Sequence, residues 1–251
     1  MGNKLPTYFA GLSGLTLPVA KYQFPPEFQQ SSRLEYYASI FNTIEINSSF
    51  YKVPQSKTVQ KWRDAVPERF RFTYKMWKQV THCRGLQFEK ADVEKFMQAI
   101  SFAGDKKGCL LIQFPPGAGI ENELALKDLL NTIVETDPER TWPLALEFRH
   151  RSWYDDRIYE LVDSLGATIV IHDIPKSATP VIDLASEFIY VRFHGPTGNY
   201  RGSYDEEILA EHASYINDWI ADGQTVYVYF NNTAGDAYAN CIMMNKLVDK
   251  E

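Results

Sequence analysis

The chain has 251 residues, 45% hydrophobic and 23% charged, with 15 Phe, 15 Tyr and 5 Trp to fill a large core, a balance that excludes a largely disordered chain. A formal net charge of −6 argues against a broad nucleic-acid-binding face, which needs a concentrated excess of Lys and Arg, although a local basic pocket is compatible with it. No run of about 20 apolar residues is available for a membrane span.

At the start, Pro6 occupies the position where a myristoylation signal wants Ser or Thr. The apolar stretch from Tyr8 to Ala20 is interrupted by Gly11, Ser13, Gly14 and Pro18, and reads as strand and turn instead of a signal-peptide core. Thr7–Leu12 is the first strand-like run. Ser32–Phe41 follows as a helix, with Leu34, Tyr37, Ala38 and Phe41 on one face. Thr43–Ser48 and Arg71–Lys75 are the next strands. Asp92–Phe102 repeats the helical pattern through Val93, Phe96, Met97 and Ile100, and leads into the strand Cys109–Phe114. Leu124–Val134, the strand Leu144–Arg149 and the helix Asp156–Leu165 continue the alternation. Between the strands Thr168–Asp173 and Phe188–His194, Pro175 and Pro180 forbid a long helix, so the sixth crossover is expected to be irregular. Asp205–Ile220 (helix), Val226–Asn231 (strand) and Ala237–Val248 (helix) complete the series.

Eight parallel-type strands alternating with helices predict an α/β fold, a (β/α)8 TIM-type barrel, as one domain over residues 1–251. Cys83, Cys109 and Cys241 are odd in number, far apart and without CxxC spacing. They suit free thiols in a reducing compartment, so a cytoplasmic protein without cofactor or bound metal is expected.

Alternation along each strand separates an apolar set from a polar one. In a barrel the apolar set meets the helices, and the polar set points inward, becoming functional at the C-terminal mouth. That assignment sends Glu45, Glu147 and Asp173 inward together with Lys75, Arg149 and Arg192, with His194 beside them. Glu45 and Glu147 are candidates for acid/base catalysis, because carboxylates on different strands can be driven to different pKa values. His194 is the candidate proton shuttle, with His82 on a nearby loop. Arg149, Arg192 and Lys75 suit a phosphate or carboxylate. Asn47, Gln113, Asn231 and Asn232 offer donors and acceptors for hydroxyls, and Tyr51 and Trp153, with Tyr200 and Tyr204, could stack on a sugar or base. Internal ion pairing alone would account for the same charges.

Several peptides coincide with one family: Glu45-Ile46-Asn47-Ser48-Ser49-Phe50-Tyr51, Thr81-His82, Gln113-Phe114-Pro115-Pro116, Glu147-Phe148-Arg149-His150 with Trp153, Tyr190-Val191-Arg192-Phe193-His194-Gly195 and Tyr229-Phe230-Asn231-Asn232. In this order they resemble the YecE-like family of proteins of unknown function. The resemblance implies a TIM-type barrel remotely grouped with sugar isomerases, and leaves the reaction open. The opening motif departs from the family's, since Gly11-Leu12-Ser13-Gly14 is followed by Leu15 where an aromatic residue is usual.

These readings point to an enzyme, isomerase-like or hydrolase-like, acting on a small anionic or sugar-containing molecule. One alternative is a metal-dependent sugar isomerase or phosphodiesterase using Asp173, Glu45, Glu147 and His194 as ligands. The other is a non-catalytic module binding a phosphate-bearing metabolite or single-stranded nucleic acid.

Overall fold

The computed structural model describes residues 7–180 and 186–248. The strands are β1 (Tyr8–Leu12), β2 (Thr43–Ile46), β3 (Arg71–Lys75), β4 (Lys107–Phe114), β5 (Leu144–Phe148), β6 (Thr168–Ile169), β7 (Ile171–His172), β8 (Phe188–Phe193) and β9 (Thr225–Phe230). Between and after them come α1 (Arg33–Ile40), α2 (Ser56–Asp64), α3 (Lys78–Thr81), α4 (Lys90–Ser101), α5 (Glu123–Thr136), α6 (Asp156–Ser164), α7 (Glu206–Ala221) and α8 (Ala237–Leu247). Every strand pair is parallel, in two ladders ordered β1-β9-β8-β7 and β2-β3-β4-β5-β6. The fold is of the α/β TIM type.

The ladders meet at two seams. At one, the expected sixth strand is broken at Val170: β6 pairs with β5 and β7 with β8, while the Val170 N–H donates to Leu146 O at 2.8 Å. At the other, β1 meets β2 through a single backbone bridge, Ser13 with Glu45, and side chains replace the rest of the ladder. Asn42 accepts from the Ala10 N–H (3.0 Å) and donates to Tyr8 O (2.8 Å). The Tyr37 hydroxyl accepts from the Leu12 N–H (2.8 Å) and donates to Thr43 O (3.0 Å). The strands are close enough that a Cβ on Gly11 would stand 2.1 Å from Thr43 O, so only glycine fits there.

Helix α1 starts where Ser32 and Glu35 form a reciprocal capping box, Glu35 N to Ser32 Oγ at 3.2 Å and Ser32 N to the Glu35 carboxylate at 2.6 Å, which satisfies two otherwise orphaned N–H groups. Helix α2 was not expected from the sequence. Its segment Ser-Lys-Thr-Val-Gln-Lys-Trp-Arg-Asp fully buries only Val59, too little for a helical stripe to stand out. In the sixth crossover, residues 174–180 contain no helix; residues 181–185 of that crossover lie outside the described residues, as do 1–6. No helix among the described residues is long and apolar enough to cross a membrane.

Strand side chains divide as the pleat requires. Ile44, Ile46, Phe72, Leu110, Ile112, Leu146, Phe148, Val191, Val228 and Phe230 join helix residues such as Phe96, Leu126, Leu130 and Ile216 in the outer core. Inside the ring of strands a second cluster gathers Phe9, Cys109, Leu111, Ala145, Val170, Phe188, Tyr190, Tyr227 and Tyr229. Phe9 stacks on Tyr227 with centroids 4.9 Å apart. Further along the strands, the Tyr229 hydroxyl lies between Thr43 Oγ1 (2.6 Å) and Thr73 Oγ1 (2.8 Å). This packed plug forms the floor on which the charged residues at the strand ends rest.

Candidate active site at the strand ends

Arg192, near the end of β8, is the hub. Its Nη2 and Nε donate to Glu45 Oε1 (2.6 Å) and Oε2 (2.9 Å), and its Nη1 donates to Glu147 Oε2 (2.6 Å). Tyr190 donates its hydroxyl to Glu45 Oε2 at 2.7 Å. Arg149 grips the other oxygen of Glu147 through both Nε and Nη2. Glu45, Glu147 and Arg192 are sealed from solvent. Burial alone would raise both carboxyl pKa values, but the charge and hydrogen bonds of Arg192 hold Glu45 below its ordinary value. The charges of Arg149 and Arg192 hold Glu147 well below. Both acids are therefore driven in the same direction. A pair split into one proton donor and one acceptor is not what this geometry provides, and neither carboxyl carries a proton near neutral pH.

His194 belongs to the same network. Its Nε2 receives Arg149 Nη2 at 2.9 Å and Arg192 Nη1 at 3.2 Å. Guanidinium groups only donate, so Nε2 is the acceptor and the ring proton sits on Nδ1, which donates to Asp173 Oδ1 at 3.1 Å. Asp173 also accepts the backbone N–H of His194 at 2.9 Å and the Tyr204 hydroxyl. That hydroxyl in turn accepts the Gly195 N–H at 2.6 Å. Burial pushes the His194 pKa down to about 4, against the opposing pull of Asp173 and Glu147, so the imidazole is neutral. Asp173, whose side chain is 27% exposed, opens to the mouth; burial would raise its pKa, but hydrogen bonds from His194 and Tyr204 keep it low.

Lys75 ends β3 and is buried. Its Nζ lies 4.3 Å from the centroid of the Phe50 ring. Among the described residues it has no ion-pair partner within 4 Å. Burial and the charge of Arg192 lower its pKa to about 8, with Glu147 and Glu45 opposing and Arg149 adding to the depression. The shelf beside it is the 3-10 turn Asn47–Phe50, pinned by Ser49 Oγ, which donates to Lys75 O (2.7 Å) and accepts from the Lys75 N–H (3.1 Å). Asn47 Oδ1 is buried without a hydrogen-bond partner.

His82 stands at the rim, edge-on to Phe50 at 4.8 Å, with its Nδ1 2.8 Å from Thr81 Oγ1 and its Nε2 3.4 Å from Gln113 Nε2. Burial and the Lys75 charge lower its pKa to about 4. Gln113 also donates to Phe114 O at 3.0 Å.

Other expected residues fall elsewhere. Asn231 continues the inward parity of β9 and is buried. Asn232 turns into the loops, donating to Gly202 O (3.0 Å) and Asn240 Oδ1 (2.9 Å), and so braces the mouth without facing it. Tyr51 is 65% exposed on the rim, its ring 5.8 Å from Lys78 Nζ. The expectation for Trp153 is corrected. Its side chain is fully buried, stacked on Phe148 at 5.1 Å, with its indole N–H on Ala118 O at 2.7 Å. It presents no face to a ligand, because it follows a strand whose outer set it joins. Tyr204 is likewise a buried hydrogen-bonding residue, while Tyr200, with φ 66°, lays its ring edge-on to His194 at 5.6 Å. Phe50 and Tyr190 stand in the family peptides but are not among the site residues proposed from the sequence. Tyr190 shares parity with Arg192, a signal that could have found it; Phe50 sits in an irregular turn where parity gives none.

The alternative of a metal bound by Asp173, Glu45, Glu147 and His194 does not fit. The Arg192 guanidinium occupies the space between the two glutamates, and among the described residues no three His, Cys, Asp or Glu side chains are arranged to hold an ion.

A family described as "Protein of unknown function DUF72" matches residues 9–251. The chain belongs to the DUF72 family. Among curated relatives, the UPF0759 protein YunF of Bacillus subtilis (strain 168) is 29% identical over 261 residues, covering 91% of this chain and 90% of that protein. The UPF0759 protein YecE of Escherichia coli (strain K12) is 29% identical over 100 residues, 40% of this chain and 37% of that protein; the YecE-like resemblance read from the motifs is thus confirmed. Of solved structures, a DUF72 family protein from Enterococcus faecalis V583 superposes with TM-score 0.79 at 22% identity, covering 97% of this chain and 96% of that one. A second, from Thermotoga maritima MSB8, gives TM-score 0.69 at 24% identity, with coverages of 96% and 98%. The DUF72 fold is shared at this distance.

Proposed function

We propose that the strand-end site is the active site of an enzyme acting on a small anionic or sugar-type molecule. One observation carries this reading. The acids Glu45 and Glu147 are consumed below by Arg192 and Arg149, whereas Lys75 Nζ and Arg149 Nη1 have no acid partner among the described residues. A carboxylate or phosphate in the mouth would meet the remaining Nη1 of Arg149 and the point charge of Lys75. Asn47, Gln113, Asn231 and Asp173 supply acceptors and donors for hydroxyls.

A purely structural role is disfavoured by cost. Ions buried in a barrel are penalised by several kcal/mol each unless fully paired, and aliphatic side chains would fill the space with no such penalty. In this reading Glu45 and Glu147 fix the arginines, and proton transfer falls to Lys75, whose pKa of about 8 matches a group that must both take and give a proton near neutral pH.

The test is a thermal-shift screen of ribose 5-phosphate, glucose 6-phosphate and gluconate, with products sought by mass spectrometry. Binding that is lost in Arg149→Met, together with turnover, supports the reading. Binding without product at any pH would leave a non-catalytic module, and no binding by any of the three would reject the anionic site.

A further inference from the structure

Lys75 combines features that a point charge for holding an anion does not need. Its amine is inside the ring of strands, its stem is fixed at the end of β3, and Phe50 covers one side of it at 4.3 Å. Ser49 locks the backbone of Lys75 at both its N–H and its carbonyl, so the side chain projects from a rigid base. One step past the last paired residues of β2 and β3, Ile46 and Tyr74, stand Asn47 and Lys75, and Asn47 brings a buried carbonyl oxygen that no protein group satisfies. The charged and titratable groups facing Lys75 are Arg192 on β8, Glu147 and Arg149 at the end of β5, Glu45 on β2 and His82 after α3. The carboxylates are held by guanidinium groups instead of by the ammonium; burial and the charge of Arg192 discourage a proton on it, with Glu147 and Glu45 opposing. Desolvation beside other cations is the arrangement that turns a lysine into a nucleophile.

We infer that Lys75 is a catalytic nucleophile that forms an imine with the carbonyl carbon of a small oxo acid or oxo phosphate. The inference rests on the anionic-substrate reading and names the substrate's reactive group. The unprotonated Nζ lends its electron pair to the carbonyl carbon; the C–N bond forms as the C=O π pair moves to oxygen. The oxygen takes both amine protons and leaves as water, so that neutral amine and carbonyl give neutral imine and water; one proton from solvent then makes the iminium that the reductant traps. Arg149 meets the substrate's anionic group, and Asn47 Oδ1 accepts a hydrogen bond from a hydroxyl or from the carbinolamine.

Reductive trapping tests it. The full chain is incubated separately with pyruvate, glyoxylate and dihydroxyacetone phosphate in the presence of cyanoborohydride, and intact mass and peptide mapping locate the adduct. The expected result is one adduct on the peptide carrying Lys75, forming at least ten-fold faster than on any other lysine, with a rate that climbs through pH 8 and falls at least ten-fold in Arg149→Met. Localisation in the wild-type chain requires no variant; Lys75→Arg, which keeps the charge, should lose the adduct. Adducts scattered over surface lysines, or none with any of the three, overturn the inference. Thermal shift with the same three compounds without reductant separates the two failures: stabilisation without trapping rejects the imine and keeps the anionic site, and absence of both rejects the two together.

Discussion

Arg192 and Glu45 meet end to end, Nη2 to Oε1 at 2.6 Å and Nε to Oε2 at 2.9 Å, with both side chains sealed from water. A planar fork against a carboxylate in this way is the strongest form of the pair, and removing one member leaves a buried charge alone. Arg192→Met is expected to destabilise the protein by about 3–5 kcal/mol. Adding Glu45→Gln to it should recover part of that loss, since the two residues act as one unit. Urea denaturation checks both; a double variant that loses the full sum of the single losses would contradict the coupling.

Acid should unfold the protein in two stages. His194, with its folded pKa near 4, is neutral while its unfolded counterpart, near 6.5, takes a proton. Its stabilising contribution is complete above the unfolded value and is lost as pH falls from there toward 4. Glu45, Glu147 and Asp173, all held below their ordinary values, contribute stability that is present above about pH 4 and lost as pH falls further. His82, lowered to about 4 as well, adds to the same window, so unfolding free energy measured against pH should decline gently at first and then steeply; a flat profile between pH 6.5 and 4 would show that neither imidazole is held neutral by the fold.

Lys75 acts in the opposite sense. Its folded pKa of about 8 lies below the unfolded value, so below pH 8 the folded state carries the full cost of holding the ammonium, and the cost is relieved as pH rises toward about 10.4. Lys75→Met should therefore stabilise the protein by about 1–3 kcal/mol at pH 7, an advantage that shrinks above pH 8. Thermal melts of both forms at pH 7 and pH 9.5 measure it, and a destabilised variant at pH 7 would show that the ammonium is well compensated.

The tautomer of His194 is fixed by its neighbours, with two guanidinium donors on Nε2 and Asp173 on Nδ1. Imidazole 15N chemical shifts at pH 7 should report a neutral ring protonated at Nδ1. A ring protonated at Nε2 would mean that Arg149 and Arg192 do not reach it.

Much of this site was legible from a single regularity. Because side chains on a strand alternate, Glu45, Glu147 and Arg192 had to share the face opposite Ile44, Leu146 and Val191, and the outer core in fact takes the latter three. The alternation stops helping where strands end. Trp153 and Tyr204 were read as ligand-facing because they follow strands, yet one packs under Phe148 and the other clasps Asp173. Their orientation depends on loop geometry that no period encodes. Helix α2 escaped notice because its polar sequence buries little. The roles of the two glutamates were also beyond sequence, since whether an acid is poised or locked depends on which guanidinium it touches.

The seam between β1 and β2 has a consequence for how the ring of strands holds together. Where a barrel is normally fastened strand to strand, here the Tyr37 hydroxyl of α1 and the Asn42 amide just beyond it do the fastening, inserted against the Gly11 backbone. The joint is thus a latch carried by a helix, and it can be loosened without touching any strand. Tyr37→Phe should speed amide hydrogen exchange at Leu12 far more than at Val191, in the continuous ladder between β8 and β9; equal acceleration at both would mean that the latch carries no local load.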